Sequence, residues 1–202
     1  MHIDILTNSQ RKLFPLLQEM SSSFGLVGGT AIALQLGHRR SIDYDLFTQQ
    51  PFDSLMLRDK IMNNHQIDQT MIDTQNELTL SVDGVKLTFY KYPYQLNYSE
   101  NLEGVITMPS VITLAAMKAF AIGRRAKWKD YIDLYFVMKK HGFDQVVSSA
   151  HEIFGNDFNE KSFRSQLCYF DDIDYSEQVE YLIDECPTDS DIRDYLVSTA
   201  TE

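Results

Sequence analysis

Long apolar runs are absent from this sequence, which holds no stretch of about 18 consecutive apolar residues, the length that a membrane-spanning helix needs. The first residues, MHIDILTNSQRKLF, lack a basic region followed by an apolar stretch, so we expect no signal peptide. Only two cysteines occur, Cys168 and Cys186, and their spacing fits neither a metal-binding pair nor a disulfide framework. Free thiols without an export signal predict a cytoplasmic protein with no membrane association.

Positive charge is also scarce, because 18 Lys and Arg residues stand against 29 Asp and Glu residues and leave a net charge of -11. Binding nucleic acid through a broad electrostatic surface needs a basic face, so this balance argues against such a surface. The acidic excess lies largely in two C-terminal stretches, FDDIDYSEQVEYLIDEC and TDSDIRDY. One basic segment within RRAKWK is an exception, and three earlier basic residues could join it in space. These residues are Arg124, Arg125, Lys127 and Lys129, with His38, Arg39 and Arg40.

The 202 residues, 44% of them hydrophobic, suffice to bury a core as one large domain or two small ones. The first hundred residues predict helix, strand, helix, strand and helix, then three strands, which is an α+β (mixed α/β) unit. After Pro109 the pattern is helical only. We therefore predict a mixed-sheet unit over residues 1–105, followed by a helical region over residues 106–202 that carries an acidic surface.

Several local signals fix the ends of these elements. Pro15 interrupts the helical pattern of residues 9–22 and predicts a kink there. FGLV reads as a short strand, and GGTAIALQLG as a glycine turn that opens a short helix closed by Gly37. SIDYDLF alternates and predicts the next strand. Asp53 is a helix N-cap, and the dipeptide DG after ELTLSV predicts a two-residue hairpin.

The strand SIDYDLF carries two aspartates separated by one residue. Residues two apart on a strand point to the same side, so Asp43 and Asp45 project together and repel each other unless a cation lies between them. Mg²⁺ suits this place, because it takes one or two carboxylates and completes its shell with substrate phosphates. Alone, such a pair is as often a solvated strand face, and His38, Arg39 and Arg40 could merely neutralise it.

A glycine turn, Gly28-Gly29, precedes these aspartates and opens a helix. Glycines let a backbone approach a phosphate, the free N–H groups of the helix face it, and Thr30 adds a hydroxyl. By itself, Gly-Gly before a helix is usually only a tight turn. Together with the aspartates, it predicts a site where phosphates and a metal ion lie side by side, as nucleotidyl transfer requires.

The stretch LVGGTAIALQLGHRRSIDYDLF resembles the nucleotidyltransferase superfamily, which is similar to the catalytic core of DNA polymerase β. Within that superfamily it resembles the AbiEii/AbiGii toxin family. A second stretch, VITLAAMKAFAIGRRAKWKDYIDLYFV, is similar to the helical motif of the same family. The resemblance implies a nucleotidyltransferase-fold N-terminal unit and a helical region that completes the site.

The resemblance also implies a role for each matching residue. The glycine turn would contact the nucleotide phosphates, and the paired aspartates would hold Mg²⁺ or Mn²⁺. The residues assigned to catalysis are Asp43, Asp45, Lys118 and Asp133, and the metal ligands are Asp43 and Asp45. The residues assigned to nucleotide binding are Gly28, Gly29, Thr30, Arg39, Arg40, Lys118 and Asp130.

The residues of the second stretch leave alternatives open when they are read alone. Lys118 lies in the apolar helix ITLAAMKAFAI, so it either extends to the surface or faces an anion. Asp130 lies in the first turn of a helix, where the dipole alone would favour it. Asp133 has apolar neighbours and would need a partner if buried. The candidate partners of Asp133 are Arg124, Arg125 and Lys129.

One position departs from the family pattern. The superfamily supplies a third carboxylate from a neighbouring strand, and Thr88 occupies that place in GVKLTFYKYPY. A threonine carries no charge and is no base at neutral pH. Three readings follow. Glu77 on the paired strand substitutes for the missing acid, the enzyme uses one metal and a slower mechanism, or the site binds nucleotide without transferring it.

Together these features predict a Mg²⁺-dependent nucleotidyltransferase that transfers NMP from an NTP to an acceptor hydroxyl. The acceptor is RNA such as tRNA, a protein side chain or a small molecule. The resemblance implies a toxin with a cognate antitoxin, which the acidic C-terminal helices could bind. The alternative is a catalytically degenerate nucleotide-binding protein, which Thr88 motivates.

Overall fold

A computed structural model describes residues 1–124 and 126–202 of the chain. Its strands are β1 (Gly25–Val27), β2 (Tyr44–Thr48), β3 (Ile67–Asp73), β4 (Glu77–Val82), β5 (Val85–Lys91), β6 (Glu100–Leu102) and β7 (Ile106–Met108). Its helices are α1 (Asn8–Lys12), α2 (Phe14–Met20), α3 (Gly28–Leu36), α4 (Ser54–Met62), α5 (Val111–Ala121), α6 (Trp128–His141), α7 (Phe143–Phe154), α8 (Glu160–Leu167) and α9 (Asp189–Thr201). This order confirms the predicted α+β class.

The main sheet is mixed, with the strand order β1-β2-β5-β4-β3. Strands β2 and β5 are parallel, whereas the other neighbouring pairs are antiparallel. The parallel pair brings Asp45 of β2 into register with Thr88 of β5, and the antiparallel pair brings Thr79 of β4 into register with Thr88. Three polar residues therefore form one row across the middle of the sheet.

The two faces of this sheet differ in polarity because side chains alternate along each strand. On one face, Leu46, Leu80, Leu87 and Phe89 are fully buried in the core. The opposite face carries the row that includes Asp45, together with charged and aromatic neighbours. The sequence alternation thus separates a packing face from a face that is free to form a site.

Local sequence signals are confirmed at several element ends. The helical segment is interrupted at Leu13, between α1 and α2, and Pro15 lies in the first turn of α2. The carboxylate of Asp53 accepts hydrogen bonds from the backbone at the start of α4. Asp83 and Gly84, with φ angles of 49° and 79°, form the predicted hairpin turn.

The predicted strand SIDYDLF is shorter than expected, because β2 begins only at Tyr44. Asp43 therefore lies just before the strand, and its backbone carbonyl accepts a hydrogen bond from the Thr30 hydroxyl. The Thr30 hydroxyl oxygen also lies 2.8 Å from Ser41 Oγ, from which it accepts a hydrogen bond. Helix α3 thus holds this loop, and pairing with β5 starts one residue later, between Tyr44 and Leu87.

Helices α5 to α9 follow the sheet, as predicted for the C-terminal part. Strands β6 and β7 pair with each other across residue 105, and α5 packs against α3 and α7. The division of the chain near residue 105 stays a prediction, since both parts contribute to the cleft described below. Within the described ranges, none of the helices has the length and apolar character to cross a membrane.

Candidate active site

A cleft of about 580 Å³ lies over the polar face of the sheet. The sheet contributes Asp45, Thr88 and Thr79, and α5 contributes Lys118 from the other side. Gly28, at the start of α3, closes one end. Three of the predicted site residues, Gly28, Asp45 and Lys118, therefore meet around one cavity. Among the described residues that line it, Asp43, Gly29 and Thr30 are not found.

Asp45 lies directly against the first turn of α3. A Cβ atom built on Gly28 would come within 2.1 Å of Asp45 Oδ2, and Gly28 has a φ angle of 72°. Both facts require glycine at this position. The carboxylate thus lies where the N–H groups and the dipole of α3 favour negative charge.

Asp43 lies beside a cation that the sequence analysis missed. Lys86 Nζ is 3.0 Å from Asp43 Oδ2, and both side chains are about two-fifths exposed, at 40% and 38%. Burial lowers the pKa of Lys86, but the hydrogen bond to Asp43 and the charges of Asp43 and Asp45 outweigh it, so the pKa is raised. The expected neutralisation of the aspartates by His38, Arg39 and Arg40 is therefore wrong.

The place of the missing third carboxylate is polar on both sides. Thr88 lies in register with Asp45, and Thr79 Oγ1 is 3.5 Å from Thr88 Oγ1. The Thr79 hydroxyl donates to Glu77 Oε1 at 3.0 Å, and Glu77 lines the same cleft. The Glu77 carboxylate on β4 is thus linked to Thr88 by way of the Thr79 hydroxyl.

Lys118 and the two aspartates of α6 form a buried ionic cluster. Lys118 Nζ contacts the carboxylate of Asp130 and lies 3.0 Å from Asp133 Oδ2. Burial alone would lower the pKa of Lys118, but Asp130 and Asp133 outweigh this effect and raise it. Lys118 therefore stays charged, faces the cleft from α5 and is held in place by α6. This arrangement contradicts extension of Lys118 to the surface.

Asp133 is fully buried and is bound by residues that precede β2. Arg39 donates two hydrogen bonds to its two oxygens at 2.7 and 2.8 Å, and His38 Nε2 lies 2.7 Å from Oδ1. Burial raises the pKa of Asp133, but Arg39 and Lys118 prevail and hold it well below its usual range. The expected partners Arg124 and Lys129 were wrong, and Arg125 lies outside the described residues.

The other basic residues also bind carboxylates. Arg40 Nε donates to Glu180 at 2.8 Å, whereas Lys127 and Lys129 both bind Glu177. His38, Arg39 and Arg40 therefore do not join the basic segment in one patch, because internal acids hold them elsewhere. The assignment of Arg39 and Arg40 to nucleotide binding stays a prediction, as does that of Gly29 and Thr30.

The donor set fits a hard divalent cation only together with a substrate. Among the described residues, no group of three or more His, Cys, Asp or Glu side chains could hold a metal ion by itself. Asp43 and Asp45 offer the one or two carboxylates that Mg²⁺ uses when phosphates supply the remaining oxygens. Two carboxylates leave most of the coordination shell of such an ion to other ligands.

Sequence reasoning missed Lys86 and an aromatic part of the cleft. Phe47 follows Asp45 by two residues, and Tyr90 and Tyr92 follow Thr88 at the same spacing. All three line the cleft. The alternation of strands β2 and β5 could have found them, because residues two apart share a face.

Comparison with known proteins identifies the family of this chain. The sequence profile of the family described as "Nucleotidyl transferase AbiEii toxin, Type IV TA system" matches residues 16–182. An uncharacterized protein of Aquifex aeolicus (strain VF5) is 37% identical over 127 residues, which span 61% of this chain and 61% of that protein.

Two solved structures share the fold. MenT4, a nucleotidyltransferase toxin from Mycobacterium tuberculosis H37Rv, gives a TM-score of 0.64 at 14% identity, covering 95% of this chain and 81% of its own. JHP933 from Helicobacter pylori gives a TM-score of 0.55 at 17% identity, covering 96% and 89%. At these identities the likeness concerns the fold alone.

Proposed function

The chain belongs to the AbiEii nucleotidyltransferase toxin family, and from that premise we propose that it transfers NMP from an NTP to an acceptor hydroxyl with Mg²⁺ or Mn²⁺. The observation that carries this proposal is the meeting of Asp45, the first turn of α3 and Lys118 around one cleft. Negative groups that bind a cation thus lie beside positive groups that bind phosphate.

Asp43 and Asp45 would hold the metal, which when bound neutralises phosphate charge and orients the reacting oxygens. The acceptor oxygen forms a bond to the α-phosphorus of the NTP. The bond from that phosphorus to the oxygen bridging to the β-phosphate breaks, and pyrophosphate leaves. The hydroxyl proton passes to a carboxylate of the site.

Lys118 contributes fixed positive charge to this reaction. Because Asp130 and Asp133 hold its ammonium group, it needs no rearrangement to face the phosphates. The first turn of α3 donates backbone N–H groups to the same phosphates. Asp133 acts as a positioning residue, since it is fully buried behind Lys118.

Glu77 is our candidate for the third acid. Its carboxylate lines the cleft and accepts a hydrogen bond from Thr79, beside Thr88. A water molecule or the acceptor hydroxyl between Thr88 and Glu77 could deliver its proton there. This reading favours compensation of Thr88 over loss of activity.

The acceptor and the partner belong to the same proposal. RNA such as tRNA, a protein side chain and a small molecule are the acceptor classes. The family implies a toxin with a cognate antitoxin, and the acidic C-terminal region is the surface we propose for it. Two acids of that region already bind Lys127, Lys129 and Arg40, so its net charge is partly neutralised. A cytoplasmic location stays a prediction.

A degenerate nucleotide-binding protein is the second candidate function. Thr88 in place of an acid favours it, and so does Lys86, whose ammonium group already neutralises Asp43. In this reading Lys86 takes the place of a metal ion. The protein would then bind an NTP without transferring any part of it.

Transfer of label from each α-³²P-labelled NTP into total cellular RNA and protein tests the proposal, with Mg²⁺ or Mn²⁺ present. Asp43→Asn with Asp45→Asn should lower incorporation on the order of 100-fold, because the carboxylates that bind the metal are gone. Asp59→Asn, on exposed α4, is the matched control and should transfer normally.

The labelled fraction identifies the acceptor class. Equal incorporation by the double variant would contradict the proposed site. Binding of NTP by the wild-type protein with no incorporation would favour the degenerate candidate instead.

A further inference from the structure

Three aromatic side chains form a continuous wall on the sheet face of the cleft. The ring of Phe47 lies 5.2 Å from that of Tyr90 and 5.1 Å from that of Tyr92, and the rings of Tyr90 and Tyr92 are 6.3 Å apart. All three side chains are partly exposed and line the cleft. We call Phe47, Tyr90 and Tyr92 the aromatic wall.

The aromatic wall begins where the polar part of the site ends. Phe47 pairs with Tyr90 in the row next to the one in which Asp45 pairs with Thr88. Two residues along a strand cover about 7 Å. Across that distance β2 changes from Asp45 to Phe47 and β5 from Thr88 to Tyr90, so this part of the cleft suits a ligand with a charged end and a flat apolar end.

The aromatic surface continues onto α5. The centre of the Tyr94 ring lies 5.5 Å from that of the Tyr92 ring and 5.5 Å from that of the Phe120 ring, so Tyr94 links the two. Phe120 is supported from behind by Phe154, stacked at 4.1 Å with an interplanar angle of 10°. Phe120 and the aromatic wall therefore line the same cleft.

Arg124 adds a cation to this surface. Its guanidinium carbon lies 4.2 Å from the centre of the Phe120 ring, and Arg124 also lines the cleft. A guanidinium group on an aromatic ring is planar and offers its outer face to a further flat group. Unpaired bases stack on both aromatic rings and guanidinium planes.

We propose that the aromatic wall, with Arg124, stacks an unpaired nucleobase while Lys118 and the first turn of α3, in the same cleft, hold the phosphate to which that base is linked. The inference rests on the proposed nucleotidyl transfer and names a base as the group recognised. The base belongs either to the incoming NTP or to a single-stranded nucleic-acid acceptor. Stacking tolerates any base, so sequence preference at this wall is expected to be weak.

A packing role alone explains this wall less well. Aromatic residues that only stabilise a sheet have their faces covered by the core, as Phe89 on the opposite face does, with 0% exposure. The wall is instead partly exposed in a cleft that also contains charged residues, among them Asp45, Lys86 and Lys118.

Binding measurements on the full-length protein, without turnover, test the proposal. The ligands are each NTP with Mg²⁺ and no acceptor, inorganic tripolyphosphate, a single-stranded RNA hexamer, and an abasic hexamer of equal charge. Tyr90→Leu removes the ring but keeps apolar bulk, and Tyr90→Phe keeps the ring. Tyr169→Leu, at an exposed tyrosine outside the cleft, is the control.

We expect Tyr90→Leu to weaken binding of a base-containing ligand about tenfold, and Tyr90→Phe to bind like the wild type. Tripolyphosphate and the abasic hexamer should bind all variants equally. A loss confined to NTP assigns the wall to the incoming nucleotide, and a loss confined to the hexamer assigns it to the acceptor. Both results support a base site.

Equal binding of all ligands by Tyr90→Leu would overturn the proposal, and so would an equal loss of tripolyphosphate binding. These outcomes are separate from the test of nucleotidyl transfer. If label transfer depends on Asp43 and Asp45 but base binding does not depend on Tyr90, the proposed base site is refuted and the proposed nucleotidyl transfer stands. If base binding depends on Tyr90 but no label is transferred, the base site stands and nucleotidyl transfer is refuted.

Discussion

Two pairs of aspartates, Asp43 with Asp45 and Asp130 with Asp133, have opposite environments in this protein. Asp43 is about two-fifths exposed and contacts the equally exposed Lys86. Asp133 is fully buried and is bound by Arg39, Lys118 and His38. Both pairs are carboxylates near one cleft, yet Asp43 is open to solvent whereas Asp130 and Asp133 are buried.

The difference separates a carboxylate pair that is open to a ligand from a carboxylate pair that holds neighbouring side chains in place. In the proposed function, the partly exposed carboxylate of Asp43 separates from Lys86 when a metal ion binds. A carboxylate enclosed by three cationic or polar side chains instead fixes their positions. Through Asp133, helix α6 holds Lys118 toward the cleft and anchors the loop that leads into β2.

The largest effect should come from breaking the buried pair. Asp133→Asn leaves Arg39 buried without its full countercharge, which should lower the free energy of unfolding by about 3–5 kcal/mol. The corresponding fall in melting temperature is on the order of 10 °C, measurable by calorimetry. Asp171→Asn, at an exposed site, is the control. An unchanged melting temperature for Asp133→Asn would mean that the cluster does not stabilise the fold.

A smaller effect should follow from adding an acid to the exposed pair. Thr88→Asp places a carboxylate in register with Asp45, so the Mg²⁺ or Mn²⁺ concentration for half-maximal transfer should fall about tenfold. Thr88→Asn has nearly the same shape without the charge and should not show this fall. Identical metal dependence in the two variants would indicate that position 88 does not face the metal.

The smallest effect should come from the surface contact of Glu177 with Lys127 and Lys129. Hydrogen bonds from Lys127 and then Lys129 lower the pKa of Glu177 to about 2, but its side chain is 43% exposed. Glu177→Gln should therefore lower the free energy of unfolding by less than about 1 kcal/mol at neutral pH.

The pH dependence of this contact has a defined sign. A carboxylate whose pKa is lower in the folded state stabilises the fold above its unfolded pKa, here near 4.5, and loses that contribution as the pH falls toward 2. Urea unfolding of wild type and Glu177→Gln should converge over that interval. A difference that grows toward acid pH would contradict the contact.

The sheet and the exposed half of the site could be predicted from sequence because they rest on local patterns. Alternation in β2 separates Leu46 from Asp45, and the glycine turn before α3 is continuous with the strand that precedes it. The start of β2 was misplaced, since the hydrogen bond from Thr30 to the carbonyl of Asp43 has no signal in the local pattern. The short strands β6 and β7 and the contact of Lys86 with Asp43 were missed.

The buried half could not be predicted, because its contacts join distant parts of the chain. Arg39 reaches Asp133 across 94 positions in sequence. The backbone of residues 38–40 is also held by Glu180 and Leu182, through hydrogen bonds between Arg40 N and Glu180 O and between Leu182 N and His38 O. Neither spacing nor composition indicates such pairings. In the fold, the basic cluster is divided between Asp133, which binds His38 and Arg39, and Glu180, which binds Arg40.

Label transfer by Asp45→Asn, measured beside its melting temperature, tests the central claim most directly. The account predicts a folded protein with an unchanged melting temperature and incorporation reduced on the order of 100-fold, because Asp45 serves the reaction and not the core. Wild-type incorporation by a folded Asp45→Asn would contradict the proposed active site.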